Sequence, residues 1–317
     1  MLKTSLLAVL ILFAFSATLL GIISKPFAGK QPRVVVVLKE LNTQYWEIVK
    51  AGAEEGFRDF GIDGEVVGTS SESEEDAQVH ILKNILKEPP DVLVVSPVES
   101  PAVMSILEEF AKNKISVLLI DTDIPLESKT SYIGTDNFDL GKKAGALLAS
   151  QLQPGDEVAL ITGDVSSPIS GERIKGAKFS LEAAGIKIAA EKASLPNKPS
   201  PVRKAMTSIL QHHPHIKGVF ATTDIMALSA LEAIERQGHK MPVIGADGII
   251  KMVESIEQGT LKDTVAQNPY DMGYVSVEAA SKVMKGKEVE KNIDTGVDII
   301  TKDNAKLKLA FLEKLLW

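Results

Sequence analysis

The chain has 317 residues, 44% of them hydrophobic and 24% charged, with a formal net charge of -7 and no cysteine. Without a basic cluster beyond isolated lysine pairs, nucleic acid is set aside as the main partner. Without cysteine, thiol catalysis, disulfides, Cys-based zinc sites and a lipid-modified N-terminal cysteine are excluded. Residues 4–24 carry no charge and are mostly Leu, Ile, Ala, Phe and Val. About 20 such residues span a bilayer as a helix. A lone Lys3 before them resembles the start of an export signal. The apolar run continues past Ala14-Phe15-Ser16, the candidate exit site, so residues 1–24 are read as a signal anchor, with a cleaved signal peptide as the competing reading. Lys25, Lys30 and Arg33 follow the span, a count that opposes export. The remainder of the chain argues for an extracytoplasmic body all the same. Residues 25–33 read as a linker.

From residue 34 onward, short apolar runs alternate with helical patterns. Strands are predicted at 34–38, 65–68, 92–96, 117–120, 132–135, 158–162, 187–193, 218–221, 243–245 and 264–267. Helices are predicted at 44–60, 74–86, 102–112, 140–152, 171–184, 202–212, 225–236, 249–258 and 270–284. Val34-Val35-Val36-Val37-Leu38 is apolar on both faces, as strands of a parallel sheet are. The alternation predicts α/β architecture with parallel sheets. So many strands exceed one compact open sheet, and two similar halves are the natural division, the second starting near Asp136-Asn137. The amphipathic tail 304–317 reads as a helix packed on the body.

Two segments near the end of the chain are the most informative. Gly245-Ala246-Asp247-Gly248 follows Val243-Ile244, and Gln267 closes Thr264-Val265-Ala266. Each puts a polar side chain at the carboxyl end of a strand, where open α/β sheets bind ligands. An Asp and a Gln there can read hydroxyl groups on a small polar ligand.

Other motifs have blander readings. Asp121-Thr122-Asp123 supplies too few ligands for a metal site. His212-His213-Pro214-His215 joins a helix to a strand and reads as a solvated connector. Gly163-Asp164-Val165-Ser166-Ser167 lacks phosphate-loop spacing and reads as a ligand-cleft loop. No G-x-S-x-G elbow surrounds Ser166, Ser167 or Ser170, and no nucleophile–base set or cofactor fingerprint is visible. The chain is therefore read as a binding protein without cofactor or metal, not as an enzyme. Asp224 reads as the cap of the helix beginning at Ile225.

Val36-Val37-Leu38-Lys39 with Tyr45-Trp46, Ile120-Asp121, the segment Gly171 to Gly176, Thr223-Asp224-Ile225-Met226-Ala227-Leu228, Gly245 to Gly248 and Val265 to Pro269 come in a fixed order. Together they resemble the periplasmic sugar-binding proteins of the ribose- and allose-binding type. The resemblance implies two Rossmann-like lobes joined by three hinge crossings, near Thr135-Asp136, Gln267-Asn268 and residues 297–299. The lobes would be 34–135 with 268–297, and 136–267 with 298–317. The implied ligand is a monosaccharide or similar polyol. The implied partner is an ABC permease, with a sensor histidine kinase as the alternative that a fixed anchor suits. A transcription regulator of the same core would need an N-terminal helix-turn-helix, and the apolar span occupies that place.

The site residues implied are Lys39, Thr43, Tyr45, Trp46, Asp121, Thr122, Arg173, Thr223, Asp247 and Gln267. Tyr45 and Trp46 would offer ring faces to the apolar face of a sugar. Lys39 and Arg173 would donate, Asp121 and Asp247 would accept, and Gln267 would sit at a hinge. Four positions depart from the family pattern. Thr43, Thr122 and Thr223 stand where an amide or a charged group is common, and Ala246 stands where an aromatic is frequent. These departures leave the fold reading intact and leave the individual sugar open.

Overall fold

The computed structural model describes residues 32–72 and 74–316. The apolar segment 4–24, linker residues 25–31 and Trp317 lie outside the described residues. Among the described residues no helix is long and apolar enough to cross a membrane.

The first half runs β1 (Arg33–Leu38), α1 (Gln44–Phe60), β2 (Asp63–Gly68), α2 (Glu75–Lys87), β3 (Val92–Val95), α3 (Pro101–Lys112), β4 (Ser116–Ile120) and β5 (Ser131–Gly134). Next come α4 (Asn137–Ala149), β6 (Glu157–Ile161), α5 (Pro168–Ala183), β7 (Lys187–Lys192), α6 (Pro199–His212), β8 (Ile216–Ala221), α7 (Asp224–Arg236), β9 (Val243–Ile244) and α8 (Ile250–Glu257). The chain closes with β10 (Asp263–Gln267), α9 (Pro269–Met284), β11 (Asn292–Asp294), β12 (Val297–Thr301) and α10 (Lys302–Leu316).

A 6-stranded sheet has the order β11-β5-β4-β3-β1-β2, and a 4-stranded sheet has the order β7-β6-β8-β9. The strand pairs within both sheets are parallel. Each strand order reverses beside its central strand, and that reversal opens a crevice at the strands' carboxyl ends. Burial explains why these runs form strands. In β1, Val34, Val36 and Leu38 join one core, while Val35 and Val37 join another. In β6, Val158 and Leu160 face one core and Ala159 and Ile161 a second. A β-branched or aliphatic run buried on both faces is what a helix-covered parallel strand requires.

The structure differs from the sequence reading at the end of the chain. β10 joins neither large sheet; it pairs antiparallel with β12 in a 2-stranded ladder. β11 and β12 were not predicted, because they are short and largely exposed and give no apolar run. β11 returns to the edge of the first sheet beside β5, and Thr295-Gly296 lead from it to β12. Gly296 takes φ 72 there, a left-handed turn that glycine adopts without strain. Several helices also begin about a turn earlier than hydrophobic periodicity indicates. Proline opens α3, α5, α6 and α9, where its missing N–H costs nothing.

Candidate functional site

The sheets meet across a cavity of about 780 Å³. Lys39, Thr43, Tyr45, Trp46, Asp121, Arg173, Thr223, Asp247 and Gln267 all line it. Thr122 does not. Its side chain is fully buried and its hydroxyl donates to Oδ2 of Asp121 at 2.8 Å, so it steadies the neighbouring carboxylate from behind.

The first wall is built on β1, α1 and β4. Lys39 follows β1 directly, and Thr43 is the residue before α1, where its side chain makes no capping bond. Tyr45 and Trp46 meet edge to face with centroids 5.1 Å apart. Trp46 is 2% exposed and belongs to the first-sheet core, so it is a packed wall with only a sliver at the cavity, not an open platform. Its Nε1 donates to Glu72 Oε1 at 2.8 Å. The Tyr45 hydroxyl donates to Asp121 Oδ1 at 2.7 Å. Burial raises the Tyr45 phenol well above its ordinary range, and the charge of Asp121 adds to the shift. Asp121 itself sits at φ 64, a left-handed conformation unusual for a side-chain-bearing residue. Its N–H donates to Ile133 O at 2.9 Å, and Tyr132 Oη donates to its carbonyl at 3.1 Å. Strained backbone held so firmly is characteristic of functional positions.

The second wall rises from α5, the β8–α7 junction and the loop after β9. Arg173 is 2% exposed. Its Nε donates to Asn137 Oδ1 at 2.8 Å, its Nη1 donates to Thr222 O at 2.7 Å, and Asp247 Oδ1 lies 3.6 Å from Nη1. Asp247 Oδ2 accepts from the Asp224 N–H at 2.9 Å. Gln267 Nε2 donates to Asp247 Oδ1 at 2.9 Å. Burial raises the Asp247 carboxyl, against the pull of Arg173.

Asp224 is structural, as read from the sequence, but by a different bond. Thr223 caps α7, its hydroxyl accepting from Met226 N at 3.2 Å. The Asp224 carboxylate instead accepts from the N–H groups of Ala246, Gly248 and Ile249 at 2.9, 2.6 and 2.9 Å. It therefore shapes the loop that carries Asp247. Burial, then the charge of Asp247, pushes its carboxyl up to about 7.

Sequence reasoning missed several lining residues. Glu40, Gln44, Ser71, Glu72, Glu99, Asn197 and Lys198 also face the cavity. Of the predicted cleft loop, Gly163, Asp164 and Ser167 reach it. Desolvation raises the Glu72 carboxyl, against the charge of Lys39 and the hydrogen bond from Trp46. Hydrogen bonds cross between the walls: Ser167 Oγ donates to Glu99 Oε1 at 2.8 Å, and the Ile250 N–H donates to Gln44 Oε1 at 2.7 Å. These residues lie in polar loops or at a helix start, where no periodicity marks them. A slightly larger hollow of about 830 Å³ lies at the amino ends of the second-sheet strands, and none of the predicted residues lines it. Among the described residues no three His, Asp or Glu side chains gather to hold a metal ion. Asp123 pairs with Lys129, and His212 Nδ1 is within 2.8 Å of Ser208 O.

Residues 34–288 match the model of the periplasmic binding protein domain. The chain belongs to the periplasmic binding protein family. Membership makes it a solute-binding protein rather than an enzyme and places its body outside the cytoplasm. It is 29% identical over 272 residues to the ribose import binding protein of Bacillus subtilis, covering 86% of this chain and 88% of the relative. It is 26% identical over 286 residues to the D-allose-binding periplasmic protein of Escherichia coli, covering 87% and 92%. The crystal structure of a carbohydrate transporter solute-binding protein from Agrobacterium radiobacter, in complex with D-arabinose, superposes with a TM-score of 0.80 at 28% identity, covering 92% of this chain and 100% of that one.

Proposed function

We propose that the protein binds a monosaccharide or a similar polyol in this cavity and passes the closed form to a membrane partner, an ABC sugar transporter. One observation carries the reading. Hydrogen-bonding side chains at the carboxyl ends of strands in two separate sheets converge on a single cavity, carboxylates on both walls and a buried guanidinium on one. Carboxylates accept from vicinal hydroxyls, and Arg173 donates in a fixed fork. Sugar-binding relatives that match along nearly the whole body support the ligand class.

In this reading the lobes are residues 34–135 with 268–297, and 136–267 with 298–317. The ligand sits between them, and hinge closure converts binding into a signal for the partner. Residues 4–24 anchor the body to the membrane. That uncharged segment favours one further reading, a tethered sugar sensor reporting to a histidine kinase.

The test is a melting screen of the full chain, in a sugar-free detergent, against aldopentoses, ketopentoses, aldohexoses, 6-deoxysugars and inositols. A ligand at 100-fold excess over its Kd adds about 2.7 kcal/mol of stability. One sugar should raise the melt, and Asp121→Ala or Arg173→Ala should abolish the shift. A folded protein that no sugar or polyol stabilises sinks the proposal.

A further inference from the structure

Thr223, a predicted site residue of the second wall, has its hydroxyl engaged within the protein. The Thr223 hydroxyl accepts from Met226 N and donates to Asn197 Oδ1 at 2.8 Å. A threonine hydroxyl has one proton, so none remains for a ligand. The same bond consumes the Asn197 carbonyl and turns its amide nitrogen the other way. Asn197 Nδ2 makes no hydrogen bond among the described residues, and Asn197 lines the cavity.

The loop holding Asn197 is constrained on every side. It leaves β7 through Ser194 at φ 57. Ser194 N donates to Gly163 O at 2.8 Å and Leu195 N to Thr162 O at 3.2 Å, which ties the loop to the end of β6. Pro196 and Pro199 flank Asn197-Lys198 and fix two of the φ angles around it. Lys198 N donates to Pro196 O at 2.7 Å. An exposed asparagine with both backbone and carbonyl fixed presents its amide N–H groups in a defined direction. Glu40, Glu72 and Asp121 can accept on the first side, where Lys39 also stands, while Asn197 and Lys198 can donate from the second, alongside Asp164 and the Arg173–Asp247 pair.

We propose that Asn197 is a specificity-determining contact of this cleft and that Thr223 is its positioning residue. The inference rests on the sugar-site reading above. A ligand hydroxyl between the walls would donate to a first-wall carboxylate and accept from the Asn197 amide. Only one epimer at that carbon can do both, so Asn197 would sort epimers as well as add affinity.

The test uses the full chain in a sugar-free detergent, with the fluorescence of its two tryptophans, Trp46 and Trp317, titrated by the sugar that best raises the melt and by its single-carbon epimers. Asn197→Ala should weaken that sugar about tenfold or more and change the rank order of the epimers. Asn197→Asp keeps the shape and the acceptor for Thr223 but removes the donor, and it should do the same. Thr223→Ser should behave as wild type. Thr223→Val should narrow epimer discrimination and also lower the ligand-free melt, because α7 loses its cap. Asn197→Ala should leave that melt unchanged. Wild-type affinity and rank order in both Asn197 variants would overturn the inference and leave the sugar site standing. A wild type that binds no sugar would overturn both.

Discussion

Gln267 donates through Nε2 to Oδ1 of Asp247 at 2.9 Å. Its other end accepts from the Thr135 hydroxyl at 2.9 Å. Thr135 follows the last residue of β5 in the first sheet, and Asp247 lies on the loop after β9 in the second. One buried amide therefore joins the passage between sheets to the carboxylate of the second wall. Orientation is forced, since the carboxylate takes the amide protons and the carbonyl takes the hydroxyl proton.

Reversing that polarity should uncouple the two. Gln267→Glu sets a second carboxylate beside Asp247 and removes its donor. Like charges at this distance in a buried site repel, and an unpaired buried polar group costs about 1–3 kcal/mol. Sugar affinity should fall about tenfold or more, and small-angle scattering should show a smaller ligand-induced compaction. Unchanged affinity would mean that Gln267 only fills space.

Tyr45→Phe separates two roles of the aromatic pair. The ring and its edge-to-face contact with Trp46 survive, while Asp121 Oδ1 loses its protein donor. The ligand-free protein should lose about 1 kcal/mol. Affinity should fall far less than in Asp121→Ala, because a ligand hydroxyl can take the vacated position. If Tyr45→Phe weakens binding as much as Asp121→Ala does, the phenol itself contacts the ligand.

Much of this candidate site was legible in the amino-acid sequence. Asp247 and Gln267 stand at strand ends that the apolar runs Val243-Ile244 and Val265-Ala266 reveal, and strand ends are where such sheets bind ligands. The alternation of runs gave the fold class for the same reason: buried parallel strands need unbroken apolar stretches. Glu72, Asn197 and Gln44 were not legible. Their positions depend on loop paths set by long-range backbone bonds such as Ser194 to Gly163, and no local pattern encodes those. Thr122 and Thr223 were placed by likeness to a family motif. A motif locates the backbone, while the partner of each hydroxyl depends on side chains elsewhere in the chain.

The paired acids Asp224 and Asp247 should make stability depend on pH. Asp224 moves from 3.8 when unfolded to about 7 when folded, chiefly through burial and then through the charge of Asp247. The folded state thus holds protons that the unfolded state releases. Stability from this pair is complete below about 4 and is lost as pH rises through about 7. Glu40, Glu72, Asp263 and Asp271 are also raised by burial and act in the same direction. Chemical denaturation should give a free energy that declines between about pH 4 and 7 and levels above. Asp247→Asn removes one charge of the pair and should flatten that decline. A stability that climbs across the same window would contradict the assignment.

Close packing of α4 against α5 positions the backbone of Arg173. Helices α4 and α5 pack so closely that a Cβ on Gly141 would lie 2.1 Å from the carbonyl oxygen of Arg173, and one on Gly176 would lie 2.1 Å from that of Phe138. Neither obstacle is a flexible side chain, so the helices themselves must separate. Gly141→Ala should cost about 1–3 kcal/mol of stability as overpacking. It should also shift the backbone of Arg173, whose guanidinium depends on Asn137 at the start of α4 and on Thr222 beyond β8. Fixed donors lose strength steeply with misalignment. Sugar affinity should therefore drop along with the melting temperature. Gly145→Ala, one turn further along α4 and packed against Ala177, should destabilise with a smaller loss of affinity. Equal losses of affinity in the two variants, scaled to their stability, would mean that the helix contact supports the lobe and has no part in aiming Arg173.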